Sequence, residues 1–223
     1  HLAAGTTWTN NILNIGDGAS TTASEAVITG RRTGFRINSS GINVGNVVIR
    51  GGNTVTRWAS ITNGEAFTCT NLTINPNSEL RTLTGSTGTL SVTANIVNAG
   101  KFVISQAGTL TMSGTNPQTF TNTGTFTSDT SGVNTNQISN LTISNTSGSG
   151  VDMTSLGNFS IGCAPTASGT LSLTNGPLNI GGNTLTLGTS GVLTGTLSTS
   201  SGAIIHSAGG GFQRWVPASL APT

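Results

Sequence analysis

Residues 184–200 read TLTLGTSGVLTGTLSTS, a run in which Leu or Val alternates with Thr, Ser and Gly for seventeen positions without one charge. Period two is the spacing at which a β-strand sends successive side chains to opposite faces, so such a run is aliphatic on one side and hydroxylic on the other. The pattern returns in NLTINP at 71, GTLSVTA at 88, GKFVIS at 100, GTLTMSG at 108, NLTISN at 140, GTLSLTN at 169 and GPLNIGGNTLTLG at 176. Gly, Asn or Pro bounds each run, and nothing longer than a turn or two has helical periodicity. The fold class is all-β.

The runs also resemble one another. GTLSVTA, GTLTMSG and GTLSLTN start 20 and then 61 residues apart. A degenerate rung of roughly 20 residues, with the second interval as about three rungs, predicts a β-solenoid (β-helix). The two NLTI runs start 69 apart, which is not a clean multiple, so the register reads as loose. In a solenoid each rung stacks about 4.8 Å from the next, inward Leu, Ile and Val form a column, and Gly and Asn supply the corners. The alternative is a β-sandwich with Greek-key connections.

Composition fits this picture. Only 6% of the 223 residues are charged, while 34% are hydrophobic. Mean hydropathy of +0.06 with a formal charge of +2 is the opposite of a disordered composition. Eight Lys and Arg against six Asp and Glu give a pI near 9.0 through scarcity of acids, which leaves no footprint for nucleic acid. No window approaches eighteen consecutive apolar residues, so no membrane insertion is expected. A start at His1 rather than Met reads as a processed or excised end, and a Thr-, Ser- and Asn-rich, charge-poor chain suits an extracellular or cell-surface location.

Three segments follow. Residues 1–60 hold Arg31, Arg32, Arg36, Arg50 and Arg57, five of the eight bases, and read as an irregular N-terminal cap; 61–210 form the rungs; 211–223 form an exit segment. Within residues 70–219, NLTI, then GTLSLTNGPLNIGGNTLTLG, then RWVP at 214 resemble the repeat segments of large secreted surface proteins of Bacteroidota type, exported by the type IX system. The resemblance implies an extracellular stalk, adhesin or filament component.

Catalytic chemistry finds little to work with. The acids Asp17, Glu25, Glu65, Glu79, Asp129 and Asp152 are spread out, with no two at neighbouring strand positions as a polysaccharide-degrading pair requires. His1 and His206 are too few for a histidine metal site, and no nucleophile elbow occurs. GDG at 16–18 is one isolated Asp turn, and SAGGGF at 207 lacks the Lys and helix of a phosphate loop. Cys69 and Cys163, 94 residues apart, fall on different rungs of a solenoid and stay unpaired there, whereas a sandwich could join them.

No catalytic, cofactor-binding or metal residue is therefore assigned. The expected role is a non-enzymatic structural protein of the cell surface, a stalk or adhesin segment or a filament subunit. Its partners would be copies of itself joined through solenoid ends or edges, other surface proteins, or surface glycans. Alternatives are a glycan-binding module using Arg31, Arg32 and Arg36 with Trp58, a β-helix enzyme, or an ice-binding protein that orders water on a Thr array. The last needs Thr pairs aligned on one face in successive rungs, which the loose register argues against.

Overall fold

A computed structural model describes residues 12–15, 35–37, 39, 43–50, 57–61, 64–82, 85, 87–129 and 131–217. The chain winds as a β-solenoid with three faces, every strand pairing with its neighbours in parallel. The first face stacks Ala66–Cys69, Thr89–Val92, Thr109–Met112, Asn140–Ser144 and the leading halves of Thr170–Gly181 and Thr196–His206. The second stacks Ile12–Ile15, Asn46–Ile49, Leu72–Ile74, Ile96–Asn98, Gln118–Asn122 and Val151–Asp152, followed by the trailing halves of the same two long strands. The third runs through Phe35–Arg36, Arg57–Ile61, Ser78–Thr82, Lys101–Val103 and Thr125–Thr127. After a break it resumes with Gln137–Ile138, Phe159–Ile161, Thr184–Leu187 and Gly211–Arg214. Continuous parallel stacking rules out the two facing sheets of a sandwich.

Strands of these faces already occur inside residues 1–60, and Gly211–Arg214 in the last segment is a strand of the third face. Coil length is 20 residues between Thr89 and Thr109 but 31 and then 30 over the next two coils, and 34 between Ile12 and Asn46. The interval of 61 is thus two coils rather than three. The surplus of the first coil lies in a hairpin closed by the antiparallel bridge of Thr127 to Thr135, which splits the third face, and that of the second includes a turn closed by the antiparallel bridge of Cys163 to Ala167. The two NLTI runs are not equivalent either: Leu72 belongs to the second face and Leu141 to the first.

Period two does what the sequence implies. On the first face Phe67, Leu90, Leu110, Leu141 and Leu171 stack in register, all at most 1% exposed, beside Cys69, Val92, Met112, Ile143 and Leu173. Each such burial contributes about 1.5–3 kcal/mol. The long strand Thr170–Gly181 turns from first face to second at Gly176, whose φ of +71° suits glycine and whose Cβ, if present, would lie 2.2 Å from Asn145 O. Cys69 and Cys163 are free and buried, on coils at least three steps apart, which is about 14 Å or more at strand spacing. Burial pushes the Cys69 thiol up to about 12. Cys163 Sγ donates to Ser128 O at 3.1 Å.

Candidate functional site

The outer side of the first face is a two-column array. One column runs Thr68, Ser91, Thr111, Thr142, Ser172 and Ser198, register partner to register partner through six coils. The other runs Ala66, Thr89, Thr109, Asn140, Thr170 and Thr196. The loose register inferred from the sequence does not reach this face, because the surplus residues are spent in loops such as 128–136. Asn140 alone turns away, its Nδ2 donating to Gln106 O at 3.2 Å and Gly108 O at 2.9 Å while its Oδ1 accepts from Thr170 N at 2.9 Å.

Charge collects on the third face instead. Glu79, 6% exposed, lies between Arg81 (Nη1 to Oε1, 3.3 Å) and Lys101 (Nζ to Oε2, 3.7 Å). The Arg81 guanidinium sits 3.5 Å from the centroid of Trp58, a cation–π contact worth on the order of 1 kcal/mol. Stacking makes this cluster: Trp58 is register partner to Glu79, and Glu79 to Lys101. Arg81, which the sequence did not single out, therefore stands beside Trp58. Arg31 and Arg32 lie outside the described residues, and Arg36 pairs through its backbone strand with Ser60. Ser60, Val103 and Thr127 alternate away from the core yet are buried, so this face is not an open sheet surface.

Asp152 and Asp129 support turns. Asp152 Oδ1 accepts from Thr154 N at 2.8 Å. Asp129 organises the hairpin: Oδ1 accepts from Ser131 Oγ and from Gly132 N at 2.7 Å, and Oδ2 accepts from Asn134 N at 2.8 Å. Burial alone would raise its pKa, but the bonds from Ser131, Asn134, Gly132 and Val133 outweigh it and hold the carboxyl below its ordinary 3.8. A depressed folded pKa contributes stability that is present above the unfolded value and lost as pH falls through the folded one. Asp129→Asn puts an amide N–H where an acceptor is needed. The variant should unfold at lower urea than the parent near neutral pH, and the gap should close once the solution is acidic enough to protonate Asp129. A gap independent of pH would remove the carboxylate from this role.

His206 is exposed, its Nδ1 3.2 Å from Ser207 O, and residues 207–210 form a turn closed by Gly210 N donating to Ser207 O. His1, Asp17, Glu25 and the GDG turn at 16–18 lie outside the described residues. Among the described residues no three His, Cys, Asp or Glu side chains gather where they could hold a metal.

The last described coil is paired on one side. Thr196–His206 and Gly211–Arg214 each pair on one side only among the described residues, leaving an eleven-residue parallel edge. Leu197, Ile204 and Phe212 continue the columns of Leu171, Leu178 and Leu185 but are only partly buried, and Ile205, Trp215 and Val216 are about half exposed. Compared with protein-family models, curated proteins and solved structures, the chain matches none.

Proposed function

We propose that this chain is a non-enzymatic structural element of the cell exterior, a stalk or adhesin segment or a self-assembling filament subunit, joined end to end through its terminal coils. The observation that carries this reading is the edge of the last coil, unpaired among the described residues. An unpaired strand edge is a template for another strand, and proteins that do not use such edges blunt them with charge, Pro or a cap. Here the edge strand Thr196–His206 has no Lys, Arg, Asp, Glu or Pro, and half-covered Leu197 and Ile204 continue the interior stack up to it. A further coil laid on it would gain backbone hydrogen bonds and cover those side chains. The likeness of residues 70–219 to secreted surface repeats supports the same reading, including export by the type IX route.

Electron microscopy and sedimentation across a concentration series test it. Rods longer than one chain, or concentration-dependent mass, are expected, and Ile204→Lys should abolish them while leaving the circular dichroism spectrum unchanged. Monomers at every concentration, with the backbone amides of 196–206 as slow to exchange as those of 170–181, would sink the end-joining reading.

A further inference from the structure

We propose that the outer side of the first face is a binding surface for ice. The proposal is independent of end joining, since it uses a different surface. It rests on geometry and chemistry together. Along the solenoid axis the hydroxyl-bearing residues repeat at the strand spacing of about 4.8 Å, and along each strand at the two-residue step of about 6.7 Å. These are close to the two oxygen repeats on a prism plane of hexagonal ice. The registered pairs Thr89 and Ser91, Thr109 and Thr111, and Thr170 and Ser172 place hydroxyls on that grid.

The chemistry of the array suits a lattice of water. Each hydroxyl both donates and accepts, as each lattice oxygen does. Threonine is stiff at χ1, and the strands behind it are backed by fully buried leucines, so the hydroxyls are ordered before any ligand arrives. Among the described residues no intramolecular hydrogen bond engages the hydroxyls of Thr89, Thr109, Thr111 or Thr142. The ligand is uncharged, and neither column contains a charged or aromatic side chain. The other faces differ: the third bears Glu79, Arg81 and Lys101, and the second interrupts its hydroxyls with Val97 and Asp152. A crystalline glycan would call for aromatic platforms, which this face lacks, and a mineral would call for charge.

Partition of the full chain into slowly grown ice, with ice recrystallisation followed in a frozen sucrose film, tests the assignment. The parent should be enriched in the ice and should slow grain growth. Thr111→Tyr, at the centre of the array, should abolish both. Thr121→Tyr, of equal bulk on the exposed outer side of the second face, should abolish neither. Circular dichroism and melting report whether each variant folds, and Thr142→Lys serves as the second array variant should Thr111→Tyr fail to fold. Exclusion of the parent from ice would overturn the proposal, as would equal loss in the Thr111 and Thr121 variants. Dimerisation of the parent through the first face without ice enrichment would overturn it too. A parent that forms filaments yet is excluded from ice would leave the end-joining reading standing and this one not.

Discussion

Replacing Phe126 with alanine is expected to lower the free energy of unfolding by about 4 kcal/mol, the middle of the range for a buried aromatic. Phe126 is fully buried, with Phe120 at 6.1 Å and Phe159 at 6.4 Å between ring centroids, and Phe102 meets Phe120 edge-on at 5.7 Å. The tilted and edge-to-face pairs add about 0.5–1.5 kcal/mol beyond area burial. Position magnifies the loss. Phe126 is on the last strand of the third face before it breaks, and its carbonyl accepts from Asn136 N at 2.9 Å on the far side of the hairpin. Phe159 lies on the resumed half. In a stack whose cooperativity comes from neighbour-to-neighbour contacts, weakening that junction should split urea unfolding into two transitions, each with a smaller denaturant slope. A single transition shifted by less than about 1 kcal/mol would show that the site collapses and that the aromatic bridge is not what couples the halves.

The next largest effect is expected at Asn98, where alanine should cost about 3 kcal/mol. Ile49 and Ile74 occupy the two preceding positions of its column; with Asn98 and Asn122 the column changes from aliphatic to amide. Asn98, 1% exposed, donates through Nδ2 to Asn122 Oδ1 at 2.7 Å and Thr125 O at 3.0 Å, and accepts from Gly100 N at 3.2 Å. The change serves a tight corner. Gly124 stacks so closely on Gly100 that a Cβ would lie 2.1 Å from Gly100 O, and the polar groups of this corner have little room for water. Alanine strands the Gly100 N–H and one acceptor of Thr125, and leucine restores volume without restoring the bonds. Asn122→Ala, at a half-buried position, should cost less, and a double-mutant cycle in urea should give coupling between the two amides. Additive losses would mean that the amides act separately and that the ladder is only apparent.

The class and the winding were legible because each strand announces itself locally: TLSV at 89 and TLTM at 109 show the same alternation, and the 20 residues between them are one coil. Face assignment was not legible. Period two is identical on all three faces, so NLTI at 71 and at 140 look alike and yet sit on different ones. Coil length was misjudged for a related reason: the hairpin of residues 128–136 is built from Asp129, Ser131 and Gly132, residues that read equally well as a simple corner. Once the surplus of both long coils is assigned to loops, the Thr columns of the first face fall into line. The Trp58, Glu79 and Lys101 cluster was out of reach because its members are separated by whole coils and meet only through register.

The one-sided pairing of the last described coil also bears on how the stack responds to tension. Strand-to-strand bonds run along the axis, so a pull on the C-terminal end loads them a coil at a time instead of shearing many together. With Leu197, Ile204 and Phe212 only partly covered, the outermost turn yields first. Each later turn that peels away lets out its own length of chain, about 90 Å for the 26 residues between Thr170 and Thr196. Pulled from that side, the stack lengthens in steps and rewinds on the coils still standing.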